Sequence, residues 1–226
     1  MRYGKVISGK FISRPNRFIA YVEIGGKEEI CHVKNTGRCR ELLVPGAIVY
    51  LEVSDNPTRK TKYDLIAVEK GSLLINMDSQ APNKVVGEWI ISSGYFGTPD
   101  LIRPEHTMGD SRFDFYLESE GKKILIEVKG VTLENDGVVS FPDAPTLRGL
   151  KHINHLAAKV DEGYESYVIF VVQMSEAKYF TPNEPRHPDF AAALRNAKKR
   201  GVIPLALTSI VTKDSIVIDK FLEVRL

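Results

Sequence analysis

The chain has 226 residues, 43% of them hydrophobic and 27% charged, with 31 basic and 29 acidic side chains and a formal net charge of +2. That composition excludes a disordered chain and allows one large domain or two small ones. Lys5, Lys10, Arg14 and Arg17 interrupt the first 25 residues, and no run of eighteen apolar residues occurs, so neither a secretory leader nor a membrane span is expected and the protein reads as soluble and cytoplasmic.

In chain order, residues 3–76 read as β almost throughout. Segments 5–12 and 17–24 are rich in β-branched and aromatic residues and are separated by the breaker Arg14-Pro15-Asn16. Gly25-Gly26 turns the chain into a strand over 28–33. Segments 47–53, 62–69 and 72–76 complete the series, and only 37–43 looks helical. Five or six strands at this spacing with one short helix fit a partly open barrel of OB type, and an SH3-like barrel gives almost the same pattern.

Near residue 80 the pattern changes. Val85, Val86, Trp89 and Ile90 recur at helical spacing over 84–92. Strands are predicted over 112–117 and 123–129, joined by the turn-like Ser119-Glu120-Gly121. A helix over 145–160 precedes an almost wholly apolar segment, 167–174, which reads as a central strand buried on both faces. A second helix over 190–200 stops at Gly201, and late strands follow over 203–207 and 215–218. The expected organisation is a β-barrel over 1–80 and a mixed α/β domain over 81–226, an α+β protein.

Charge divides along similar lines. Residues 1–62 carry 12 basic against 6 acidic side chains, and the remainder 19 against 23. In the first part Lys34, Arg38 and Arg40 cluster around Asn35-Thr36-Gly37, where backbone N–H groups can meet a phosphate, although turn chemistry alone accounts for Asn and Gly there. Cys31 and Cys39, the only cysteines, are too few for a disulfide framework and read as free thiols.

The most informative segment is Ile124-Leu125-Ile126-Glu127-Val128-Lys129-Gly130. On a strand, Glu127 and Lys129 share one face. If this strand pairs with the preceding one, Asp114 of Phe113-Asp114-Phe115 sits across from Glu127. Two close carboxylates call for a neutralising cation, and Mg²⁺ or Mn²⁺ suits them, with Lys129 placed to assist at a phosphoryl oxygen. On spacing alone a surface salt bridge among the three is the favoured account, since acid-x-Lys is a short pattern. The following helix shifts the balance. Arg148, Lys151 or His152, His155 and Lys159 line one face with no acid before Asp161, opposite Leu147, Leu150, Ile153 and Leu156, and phosphate binding explains a face of one sign.

Asp114 with Glu127-Val128-Lys129 resembles the PD-(D/E)xK nuclease fold, although Phe113 stands where that motif often has proline. More specifically, the chain resembles the sugar fermentation stimulation protein family. The resemblance is carried by residues 32–38 and 42–46 in the first half, and by 111–115, 126–133 and 141–152 in the second. It implies an N-terminal OB-like domain, a C-terminal nuclease-like domain, DNA binding, and a link to regulation of sugar, especially maltose, utilisation. It also implies Asp114 and Glu127 as metal ligands beside Lys129. Glu88 (as a catalytic residue) and Glu105 (as a ligand) resemble the accessory acids which that fold places before its core hairpin.

Two readings follow. The first is a DNA-binding protein with a metal-dependent phosphodiester-cleaving centre built on Asp114, Glu127, Lys129 and Glu88. It would be held on nucleic acid by Lys34, Asn35, Thr36, Arg38, Arg40, Arg148, Lys151 and His152. The second is a DNA-binding transcriptional regulator that uses the nuclease fold as a scaffold; no helix-turn-helix is evident for it. A small-ligand enzyme has no support, since no GxGxxG, P-loop or G-x-S-x-G occurs.

Overall fold

Alternating apolar residues with short breakers build the first half of the chain into strands that close on one another. The computed structural model describes residues 1–35 and 37–226. Strands β1 (Val6–Ser13), β2 (Ile19–Ile24), β3 (Lys27–Val33), β4 (Ile48–Val53), β5 (Tyr63–Lys70) and β6 (Leu73–Asn76) lie in the order β3-β2-β1-β4-β5-β6. Parallel pairing of β3 with β5, Cys31 opposite Tyr63 and Val33 opposite Leu65, closes β1–β5 into a barrel. That closure is the OB arrangement, and it settles the choice between the two barrel types. Inward residues such as Val22, Val33, Val49, Leu51 and Leu65 are fully buried.

The short helix expected over 37–43 is a single uncontinued turn instead. Leu42 and Leu43 both donate to the Cys39 carbonyl, at 3.2 and 2.9 Å. The Arg14 guanidinium takes the carbonyls of Gly37 and Arg38, at 2.8 and 2.9 Å, and Cys39 adopts a left-handed φ of 45°. With its first carbonyls engaged elsewhere, the segment has no helical ladder to propagate.

The second half begins with α1 (Ala81–Ser92), whose Pro82 suits the first turn. It continues through β7 (Leu101–Met108), β8 (Ser111–Ser119), β9 (Lys122–Val131), β10 (Leu133–Asn135), β11 (Val138–Phe141), α2 (Leu147–Asp161), β12 (Glu165–Val172), β13 (Tyr179–Pro182), α3 (Pro188–Lys199), β14 (Ile203–Thr212) and β15 (Ser215–Leu222). Six strands form one mixed sheet, β15-β14-β12-β9-β8-β7, with β12 central and parallel to both neighbours. Two apolar layers flank it. One includes Val85, Val86 and Ile90 of α1, and the other includes Ile153 and Leu156 of α2 with Phe190 and Leu194 of α3. The second layer runs on into the barrel interior, so barrel and sheet share one continuous core. A polar seam reinforces the junction, where Gln173 donates to Asn76 Oδ1 at 2.9 Å and to the Asp78 carbonyl at 3.0 Å.

The strands absent from the sequence reading are short or atypical. β7 contains Pro104, which only an edge strand tolerates. β10, β11 and β13 have three or four residues each, too few to show a period, and make a separate small sheet. On α2, Leu147 was expected on the core face but is 82% exposed. Thr146 caps the helix by accepting from the Gly149 N–H at 2.9 Å, and packing begins only a turn later, with Leu150 and Ile153.

Candidate active site

The pairing of β8 with β9 runs from Ser119↔Lys122 to Phe115↔Ile126 and stops there. Asp114 fills the opening. Its Oδ2 accepts from the Val128 N–H at 2.7 Å and its Oδ1 from Asn83 Nδ2, on the first turn of α1, at 2.8 Å. Both oxygens are thereby oriented, one by the strand that carries Glu127 and one by the helix beneath.

Glu127 projects from β9 towards α2 and is 2% exposed. Lys129 donates to its Oε1, and His152 Nδ1 of α2 bonds the same atom. Arg148 Nε approaches the other ring nitrogen of His152 at 3.4 Å, which suits Nδ1 as the donor to the carboxylate. Glu127 Oε2 is buried and has no hydrogen-bond partner among the described residues. A buried carboxylate oxygen left in this way is costly unless another group meets it.

The two acids are pushed in opposite directions. Burial raises the Asp114 carboxyl above the ordinary carboxylate range, and the charge of Glu127 adds to that, against the hydrogen bonds from Val128 and Asn83. Burial acts the same way on Glu127, but the His152 hydrogen bond and the Lys129 charge outweigh it and hold that carboxyl below its usual value. Of the two, Glu127 is the stronger acid.

The other expected residues divide. Glu88 lies apart: it pairs with the N-terminal ammonium of Met1 at 2.6 Å, its side chain 57% exposed. Glu105 occupies a left-handed position, φ 54°, between the pairs Pro104↔Phe115 and His106↔Phe113, and bonds Arg112 at 3.0 Å. No cluster of three His, Cys, Asp or Glu side chains suited to a metal occurs among the described residues. Asp114 and Glu127 remain the two expected ligands within each other's influence, and a pair of carboxylates suits a hard cation that keeps waters.

On α2 the basic face splits. His152 turns inward to Glu127, and His155 bonds Ser111, whereas Arg148 and Lys151 stay exposed at the rim. Lys159 is paired with Glu162. In the barrel, Lys34 is enclosed by Glu52, Asp64 and Asp78 at 3.1, 3.4 and 3.8 Å. Asn35 donates to the Met77 carbonyl at 2.9 Å and accepts from the Gly37 N–H at 2.7 Å. Both shape the loop. Arg38 and Arg40 remain exposed, and Thr36 lies outside the described residues. Sequence reasoning missed Asn83, which only the approach of α1 to β8 brings to Asp114, and the contact of His152 with the carboxylate.

The order α1-β7-β8-β9-α2-β12, with Asp114 on β8 and E-x-K on β9, defines a mixed α/β domain that follows an OB domain. Comparison with known proteins gives the same architecture. A family described as "SfsA N-terminal OB domain" matches residues 12–77, and one described as "Sugar fermentation stimulation protein RE domain" matches residues 80–215. A Clostridium beijerinckii protein named "Sugar fermentation stimulation protein homolog" is 56% identical over 226 residues, covering 100% of both chains. Its Desulfitobacterium hafniense namesake is 58% identical over 100% of this chain and 99% of its own. The solved structure of Pyrococcus furiosus SfsA in complex with Ca²⁺ superposes with a TM-score of 0.88 at 25% identity, covering 100% of this chain and 98% of that one. The chain belongs to the sugar fermentation stimulation protein family.

Proposed function

We propose that this protein binds DNA and hydrolyses phosphodiester bonds with the help of a divalent cation at Asp114 and Glu127. The observation that carries the reading is Glu127 Oε2, a buried carboxylate oxygen with no hydrogen-bond partner among the described residues, on an acid whose charge acts on Asp114. That the Pyrococcus furiosus relative is a complex with Ca²⁺ supports a hard-cation site in this fold.

Asp114 and Glu127 are the residues that would hold Mg²⁺ or Mn²⁺. When bound, such an ion supplies charge neutralisation at a phosphoryl oxygen and a water acidified towards neutral pH. The chain's own groups do the rest. Asn83 and the Val128 N–H fix the Asp114 carboxylate, and His152 fixes that of Glu127. The Lys129 ammonium, on the same side of β9 as Glu127, is placed to steady charge on the phosphate and to orient an attacking water. Arg148 and Lys151 at the rim draw the phosphate backbone towards this pair.

Incubation of supercoiled plasmid and of labelled oligonucleotides with Mg²⁺ or Mn²⁺ tests the proposal. Cleavage is expected in the wild type and lost in Glu127→Ala and Lys129→Ala, while both variants still bind. Cleavage undiminished in both overturns the assignment. Salt-sensitive binding with no metal-dependent product identifies the scaffold reading, a regulator of sugar utilisation, instead.

A further inference from the structure

The outer face of β2 and β3 is where OB barrels commonly take oligonucleotides, together with the adjoining loops. In this barrel that face is unsuited to phosphate. Glu23 and Glu28 stand directly opposite each other in register, and Lys10 is the one cation paired against Glu23 across β1.

Positive charge gathers instead at one end of the barrel. The β1–β2 loop and the β3–β4 connection enclose a cavity of about 450 Å³. Arg14, Arg17, Arg38 and Arg40 line its walls, and Phe11, Leu43 and Pro45 also border it. These four arginines have unequal roles. Arg14 is spent on architecture: its guanidinium donates to the carbonyls of Arg17, Asn35, Gly37 and Arg38 at 2.5–2.9 Å, tying one wall to the other. Arg17, Arg38 and Arg40 are exposed and have no ion-pair partner among the described residues. Three unpaired guanidiniums held around a partly apolar hollow are a site for a group that is anionic on one side and flat and apolar on the other.

A second cavity, of about 170 Å³, shares Gly37 with the first and extends to Gly130, the residue after Lys129. The arginine cavity therefore adjoins, at Gly37, a second hollow that reaches the end of β9, the strand that bears Glu127.

We propose that the arginine cavity holds an unpaired nucleotide of a single strand, its phosphates on Arg17, Arg38 and Arg40 and its base against Leu43 and Pro45, while the strand runs past Gly37 to the Asp114–Glu127 pair. The strand's route to the carboxylates rests on the function proposed above, and occupancy of the cavity does not. A duplex presents its stacked bases edge-on and cannot place a base in a hollow, so the site selects unpaired strands.

The test is fluorescence anisotropy with a labelled oligothymidylate 20-mer and a blunt duplex of equal length, titrated with full-length protein over a range of NaCl. The wild type is expected to bind the single strand more tightly. Arg38→Glu with Arg40→Glu is expected to weaken that binding by about thirtyfold and to flatten the salt slope by about 1.4, or about 0.7 for each lost phosphate contact. Lys198→Glu with Lys199→Glu, the same charge change on α3, is expected to cost less than about threefold. Arg17→Glu provides an independent variant on the opposite wall and is expected to weaken binding in the same direction. Tighter duplex binding in the wild type, or equal losses in the α3 and cavity variants, overturns the proposal. Mn²⁺ titration by calorimetry separates the two readings. A cavity variant that loses the strand yet keeps wild-type Mn²⁺ binding places the strand site apart from the carboxylates. If the wild type binds no Mn²⁺ and cleaves nothing while the cavity variants still lose the strand, the metal reading fails and the strand site stands.

Discussion

His152 and Lys129 meet the same oxygen of Glu127, one reaching from α2 and the other from two residues along β9, and the second oxygen of that carboxylate is left buried and unpartnered. The contact joins helix to sheet at the point where β8 parts from β9. Asp114 fills that opening from β8, and the charge of Glu127 acts on it.

Calorimetric titration of Mn²⁺ is expected to show a single site in the wild type that weakens at least about tenfold in Asp114→Asn and in Glu127→Gln. His152→Ala is expected to weaken the same site less than either, because it removes an orienting bond and leaves both carboxylates in place. Equal affinity in all four proteins rules these acids out as ligands.

Stability should fall in acid through Asp64. Burial alone would raise its carboxyl, but hydrogen bonds from Arg59 and His32 and the charge of Lys34 bring it down from 3.8 to about 2. A carboxyl lowered in the folded state stabilises above its unfolded value, and that stabilisation is lost as pH falls from about 4 through 2. The contribution at neutral pH is roughly 2 kcal/mol. Urea unfolding between pH 6 and 2.5 should show a steeper loss in the wild type than in Asp64→Asn. At neutral pH that variant should be less stable by roughly 2 kcal/mol, since it removes the ionised partner of the half-buried Arg59, His32 and Lys34.

Gly130→Ala should disturb the junction of barrel, helix and sheet. A Cβ there would meet Gln173 Oε1 at 2.6 Å and Pro82 Cγ at 2.9 Å, and Pro82 adjoins the Asn83 that orients Asp114. The expected cost is about 1–3 kcal/mol in thermal unfolding, with weakened Mn²⁺ binding. Gly94→Ala offers a comparison, because only backbone strain at φ 66° opposes it and nothing lies within 4 Å of its Cβ.

Both thiols should be silent in the native protein. Cys31 and Cys39 are unpaired, 0% and 3% exposed, and burial is the main cause that pushes each thiol up to about 12. Ellman's reagent is expected to label neither before unfolding and both afterwards. Rapid labelling of either in native buffer would contradict the packing described for β3 and the following turn.

The sequence by itself determined the elements that repeat a period or carry an uncommon motif. Alternation marked the barrel strands, the apolar run at 167–172 marked the central strand, and Glu127-Val128-Lys129 after Asp114 marked the carboxylate centre, because each depends on neighbours in the chain. Only the tertiary structure decided how residues distant in sequence share space. It closed β3 on β5 and so chose the OB barrel. It turned His152 inward while Arg148 and Lys151 stayed outside, and it spent Lys34 on three acids, two of them buried. It sent Glu88 to the N-terminus and brought Asn83 to Asp114. The physical reason is the same throughout: spacing along the chain sets which face of a strand or helix a side chain occupies, whereas its partner and its charge state depend on what another element packs against that face.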